Sequence, residues 1–163
     1  VMEDAALRQR AIEAASTVVD PEIPVLTIAD LGVLRAVVVD GGRVRVDITP
    51  TYSGCPAMNM IAVEIDLALA RAGIDGAEVR TVLSPAWTTD WMTEDGRRKL
   101  RDYGVAPPQK GQGRRALFGR DTVECPQCGS TDTTQLAEFG STSCKALWRC
   151  ETCREPFDYF KCH

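Results

Sequence analysis

Histidine is almost missing from this chain: the single one, His163, is the last residue. That excludes a Ser-His-Asp or Cys-His nucleophilic centre in the core, since each needs an internal imidazole as base. It also excludes the paired Glu-x-x-His ligands of carboxylate-bridged di-iron enzymes. No stretch approaches the ~20 consecutive apolar residues of a membrane-spanning helix. There is neither a P-loop nor a G-x-G-x-x-G turn, so nucleotide chemistry has no support. Paired acids such as Glu94/Asp95 suit the start of a helix better than acid–base catalysis. Catalysis of hydrolysis or oxidation by this chain alone is not expected, and a soluble, cytoplasmic protein is.

Cysteine is nearly absent from the first 124 residues, where Cys55 stands alone, and then becomes dense: six of seven fall in the last 39. Four form two Cys-x-x-Cys pairs, Cys125/Cys128 and Cys150/Cys153, separated by 21 residues. Two sulfurs two residues apart can hold one ion from a single tight turn, and the loop between the pairs returns the second turn to it. This is the spacing of a zinc ribbon. Pro126 and Gly129 supply turn geometry around the first pair. Paired Cys-x-x-Cys outside a secreted context points to metal rather than disulfides. A tail of some 40 residues could not bury an adequate core alone, which is why such segments take a metal staple. Zinc is the expected ion, although cysteine ligands also suit an iron–sulfur cluster. Cys144, Cys162 and His163 are surplus: spare residues, alternative ligands to the same ion, or part of a second site. Of the aromatics interleaved there, Trp148 and Phe157 are expected in the ribbon's core.

The net charge of −4 hides a pattern. Residues 1–96 carry 15 acids against 7 bases, residues 97–120 carry 8 bases against Asp102, and residues 121–163 carry 7 acids against 4 bases. The basic stretch ends in KGQGRRALFGR and reads either as a solvated linker or as a patch for an acidic partner. The acidic total argues against nucleic acid as that partner.

Periodicity predicts a helix over 4–19 with Leu7, Ala11, Ala14, Ala15 and Val18 on one face, stopped at Asp20-Pro21. Alternating runs around a DGG turn, Leu34, Ala36 and Val38 before it and Val44, Val46 and Ile48 after it, predict a hairpin. A helix over 57–72 follows, stopped by Gly73, then a strand over 78–83 and a short helix over 94–103 with Thr93 as its N-cap. The order α-β-β-α-β-α gives an α+β fold: a small mixed three-stranded sheet covered by helices, followed by a zinc-ribbon-like module. The expected domains are 1–104, a Pro/Gly-rich basic linker at 105–122, and the metal-binding segment 123–163.

Cys55 lies in Ser53-Gly54-Cys55-Pro56, where the helix at 57–72 begins. Free N–H groups and partial positive charge at a helix start lower a thiol's pKa and favour thiolate, which could bind metal or attack an electrophile. The alternative is an inert cysteine packed as a small hydrophobe.

DPEIPVLTIADLGVLR at 20–35, TPTYSGCPAMNMI at 49–61 and SPAWTTDWMTEDGRRKLRDYGVAPP at 84–108 resemble the small iron–sulfur assembly domain family that includes SufT. With the tail FGSTSCKALWRCETCREPFDYFKCH at 139–163, the resemblance narrows to the accessory proteins of bacterial phenylacetyl-CoA epoxidase systems. It covers nearly the whole chain. It implies a maturation role in aerobic phenylacetate degradation rather than catalysis of the epoxidation, with Cys55 as the residue tied to iron–sulfur cluster insertion. The implied partners are epoxidase components, above all a ferredoxin-type reductase carrying a [2Fe–2S] cluster. One thiolate cannot hold a cluster that takes four protein ligands, so Cys55 would share one across a homodimer or lend a ligand during hand-over. Asp20 and Glu22 lie in a matching motif that shapes the neighbouring loop. The competing reading is a non-catalytic scaffold component of the oxygenase, with Cys55 only structural.

Overall fold

The structure is a computed structural model that describes residues 2–108 and 122–161. Most of the expected linker, including KGQGRRALFGR, lies outside the described residues, as do Cys162 and His163. Compactness divides the chain into two units, Val1–Trp87 and Thr88–His163.

The first unit runs α1 (Met2–Ala15), α2 (Ile28–Leu31), β1 (Leu34–Asp40), β2 (Arg43–Ile48), α3 (Ala57–Arg71) and β3 (Glu78–Thr81). Its sheet has the order β1-β2-β3, with β1 antiparallel and β3 parallel to β2. This is the mixed three-stranded sheet expected. The hairpin register pairs Val37 with Val46 and Val39 with Val44, so Val37 faces the core while Val38 is exposed. After the irregularity between Leu34 and Ala36, the inward face of β1 is shifted by one residue from the Leu34, Ala36, Val38 alternation read in the sequence. Val37, Val44, Val46 and Ile48 are buried there, with Ile61, Ile65 and Leu69 of α3 and Ala11 and Ala15 of α1 also in the core. The helix α3 ends as its sequence predicts. Gly73 is left-handed at φ 76°, its N–H donates to Ala70, and the Ile74 N–H reaches back to Leu69 at 2.9 Å. That is the Schellman stop, closed by the buried Leu69 and Ile74.

The helix α1 ends at Ala15 rather than 19. Residues 18–20 leave the helix to pair with the segment after them: Ile28 N–H donates to Val18 and Asp20 N–H to Leu26, both at 2.9 Å. Asp20, 7% exposed, then accepts from the Glu22 and Ile23 N–H groups at 2.8 and 2.9 Å. A carboxylate holding two backbone donors, one of them buried, orders the Asp-Pro-Glu-Ile-Pro loop. Asp20→Ala is therefore expected to lower the urea midpoint with the slope unchanged, a loss of about 1–2 kcal/mol. The next short helix, α2, carries a capping box between Thr27 and Asp30, and the Trp87 indole donates to Leu31 O at 2.8 Å.

The second unit holds a 3-10 turn (Thr89–Trp91), α4 (Glu94–Asp102) capped by Thr93, and a four-stranded sheet of order β4-β7-β6-β5. Its strands are β4 (Val105–Ala106), β5 (Thr133–Ala137), β6 (Lys145–Cys150) and β7 (Pro156–Phe160). Because Val105 and Ala106 pair with Asp158 and Tyr159, α4 groups with this unit, whereas the sequence-based boundary lay after residue 104. Among the described residues one core cluster of this unit is Ala106, Val123, Cys125, Ala146, Cys150, Phe157 and Tyr159, with Trp148 and Cys153 packed against it, and Val105 and Phe160 are buried as well. Phe157 and Trp148 take the places expected of them, with the Trp148 ring edge-on to Tyr159.

Candidate functional site

Two sites carry sulfur chemistry, one in each unit. In the second, the sulfurs of Cys125, Cys128, Cys150 and Cys153 lie within 4.8 Å of one another. Cys125 and Cys153 are 3.7 Å apart and Cys128 and Cys150 3.6 Å. A tetrahedral ion holding thiolates at about 2.3 Å separates its sulfurs by about 3.8 Å, so the four fit a single ion. Local structure explains the fit. Each pair sits on the same turn: Cys125 N–H donates to Ser130 O, and Cys150 N–H to Glu155 O. The residue after each second cysteine is left-handed, Gly129 at φ 77° and Arg154 at φ 68°. The equivalent N–H groups of Ser130 and Glu155 point at Cys128 and Cys153. The repeat of CPQCG in CETCR thus appears in the backbone as well as in the spacing. Arg154 is the member no sequence rule marks, since a non-glycine residue there carries backbone strain.

The quartet's electrostatics also favour a cation. Donation from the Cys153 N–H (3.4 Å) lowers the Cys150 thiol to about 6. The Glu155 N–H favours a Cys153 thiolate, but desolvation and the surrounding sulfurs outweigh it and push that thiol up to about 12. Likewise the Ser130 N–H favours a Cys128 thiolate, and desolvation with the neighbouring Cys150 sulfur raises that thiol instead. Four thiolates cannot be ionised side by side without a metal to replace their protons. No described cysteine is in a disulfide.

Of the surplus residues, Cys144 is buried with its sulfur 3.1 Å from the Thr142 hydroxyl. Five residues of extended chain lie between it and Cys150, six steps or about 20 Å along β6. It is therefore at the far end of the strand from the quartet and is not an alternative ligand to the same ion.

Cys55 forms the other site. Its loop is shaped by Gly54 at φ 77°, and Pro56 caps α3 without a side-chain hydrogen bond. Cys55 is half-buried. Burial raises its thiol above the ordinary value; the Ala57 N–H opposes that, the carboxylate of Glu22 adds to it, the Tyr52 hydroxyl opposes it, and Asp20 adds again. The net direction is opposite to the thiolate-favouring shift expected from the helix start alone. The acidic loop at 20–22 and the cysteine loop meet here, although they are more than 30 residues apart in sequence. Tyr52 is the contact that sequence reasoning passed over; it lies three residues before the cysteine in the same loop. Among the described residues the Cys125–Cys153 quartet is the only group of three or more metal-ligand side chains, so Cys55 does not stand in a complete four-ligand set. A raised thiol is a slow nucleophile at neutral pH. Alkylation of Cys55 by iodoacetamide, followed on its own peptide by mass spectrometry, is expected to run below that of a free cysteine at pH 8 and to climb above pH 9.

Comparison with known proteins gives the same two parts. The family described as iron–sulfur cluster assembly protein matches residues 8–84, and the PaaD zinc beta ribbon domain matches residues 109–161. An Escherichia coli K12 protein named as a candidate component of 1,2-phenylacetyl-CoA epoxidase is 52% identical over 147 residues, covering 90% of this chain and 88% of the relative. The Staphylococcus aureus Fe-S protein maturation auxiliary factor SufT is 40% identical over 78 residues, 47% of this chain and 88% of its own. The crystal structure of a DUF59 domain from Bacillus anthracis has the same fold over 61% of this chain and 95% of its own, at a TM-score of 0.57 and 24% identity.

Proposed function

The chain belongs to the PaaD family of phenylacetyl-CoA epoxidase proteins, an iron–sulfur assembly domain followed by a PaaD-type zinc ribbon, and from this premise we propose that it is a maturation factor for that oxygenase system. In this reading it helps to assemble or insert an iron–sulfur cluster in a client, the ferredoxin-type reductase component, and does not itself catalyse the epoxidation. The single observation that carries it is Cys55: a lone sulfur at the start of α3, half-buried, beside the carboxylates of Glu22 and Asp20, and in no group of three or more metal ligands among the described residues. A protein that keeps a cluster needs four ligands. A protein that passes one on needs an incomplete set, which a client or a second copy completes.

The thiol form of Cys55 suits that role. It holds no charge until a cluster iron approaches, and binding then releases its proton. Asp20 acts on the site by fixing the loop that carries Glu22. The ribbon is assigned a structural zinc, because its sulfurs are set at single-ion distances, whereas a cluster would spread them over two or more irons. The first unit would carry the assembly chemistry and residues 123–163 the metal-stapled module, and the protein would act in the cytoplasm. Among the described residues, no helix is long and apolar enough to cross a membrane.

The name of the Escherichia coli relative, which makes it part of the epoxidase, favours a second reading: a scaffold within the oxygenase in which Cys55 is only structural. Co-production of the reductase with wild-type or Cys55→Ala chain separates the two. The maturation reading expects the reductase to lose iron and sulfide while the complex still forms. The scaffold reading expects no loss.

A further inference from the structure

The helix α3 is apolar on two faces. Ala57, Ile61, Ile65 and Leu69 are buried in the core, but Met60, Val63 and Leu67 are 54%, 53% and 43% exposed. At 100° per residue the exposed stripe points about 150° away from the buried one. Its spacing of three and four residues makes it continuous along the helix. At its far end the stripe runs into a groove of the same unit, floored by Leu67, Ala70, Ile74 and Ala77 and edged by the carboxylates of Asp66 and Asp75. At its near end Met60 lies in the first turn of α3, the helix that Cys55 precedes by two residues. A scattered exposed leucine needs no explanation; an apolar stripe joined to an apolar groove does.

We infer that this face of α3 docks the protein that receives the cluster, through a segment whose apolar side chains are flanked by lysine or arginine. Three observations select that occupant. The floor is apolar, the charged residues lining the groove are the acids Asp66 and Asp75, with the nearby Arg10 guanidinium donating to Ala72 O, and the surrounding sequence is acidic as well, with 15 acids to 7 bases over residues 1–96. A basic rim on the partner answers this charge, and a second copy of the same acidic face does not. The area argues likewise. Three half-exposed side chains and a shallow groove fall short of the ~800 Å² per partner of a stable interface, so the surface suits an encounter that ends after hand-over. The inference rests on the maturation reading for what the partner receives, but the docking face stands on its own residues.

The test is binding of purified cluster-free reductase of the epoxidase system to the zinc-loaded full chain, by calorimetry, for wild type, Met60→Ser/Val63→Ser, Asp66→Lys/Asp75→Lys and Cys55→Ala. All the docking substitutions are at exposed positions, where folding is little affected. The stripe and charge-reversal variants are each expected to weaken binding at least about tenfold, with wild-type affinity falling as salt rises, and Cys55→Ala to bind as wild type. Unchanged binding by both docking variants overturns the inference, as does a wild-type chain that does not bind the reductase. So does a stripe variant that only converts a dimer to a monomer in sedimentation, which would make a second copy the occupant. Failure of the maturation reading looks different: docking variants lose binding, yet Cys55→Ala still yields a reductase with its cluster.

Discussion

Removing the metal from the Cys125, Cys128, Cys150 and Cys153 site is expected to unfold the second sheet and leave the first folded. The reason lies in what each core can supply alone. The first unit buries α1 and α3 with a sheet of its own, around large aliphatic side chains such as Ile23, Leu26, Ile61, Ile65 and Leu69. Among the described residues the cluster around the quartet has seven buried members, two of them the ligands Cys125 and Cys150, with Phe160 of β7 a large side chain buried besides them. Structural zinc contributes on the order of 10–16 kcal/mol of apparent folding free energy in small metal domains at neutral pH, more than so small a core can replace. A strong chelator, or Cys150→Ser, should therefore abolish the Trp148 near-ultraviolet signal and open residues 122–161 to protease, with α1 to β3 still protected. Returning zinc should restore the chelated wild type but not the variant. Loss of both units together would mean that the ribbon's metal is not a local staple.

Cys55→Ala is expected to do the reverse: little to stability, almost everything to the client. A half-buried thiol on a loop, replaced by a smaller apolar side chain, leaves the core of Ile61, Ile65 and Leu69 untouched, so stability should shift by no more than about 0.5 kcal/mol. The reductase made beside it should hold background iron and sulfide. Asp20→Ala falls between these extremes, because it loosens the loop that bears Glu22 without removing a ligand. Its cost appears first as stability, and only through it as slower loading. A Cys55→Ala chain that loads the reductase normally would leave the scaffold reading in its place.

Which parts of this were legible in the sequence follows from how local their causes are. The ribbon quartet could be read from spacing alone, because a Cys-x-x-Cys turn is a local structure and its partner is a copy of itself. The hairpin and the stop of α3 at Gly73 were legible for the same reason. The end of α1 was not, since residues 18–20 are drawn out by pairing with 26–28. Nor was the grouping of α4, which depends on Val105 and Ala106 meeting Asp158 and Tyr159, far along the chain. Cys55 shows the limit most clearly. Its position before a helix was visible, and from that alone its thiol should have been lowered. Burial and the carboxylates of a loop more than 30 residues upstream reverse the direction, and no local pattern records their approach. The exposed face of α3 escaped because periodicity marks the buried stripe of Ile61, Ile65 and Leu69 and does not tell whether Met60, Val63 and Leu67 on the other side are covered.

The most direct test of a cluster-transferring Cys55 is metal and acid-labile sulfide analysis of the chain purified without oxygen together with its reductase, for wild type and Cys55→Ala. One zinc per chain is expected in both, and iron and sulfide associated with the wild-type chain only. Iron and sulfide retained by Cys55→Ala, and lost when Cys150 is replaced, would contradict this by placing the cluster in the ribbon.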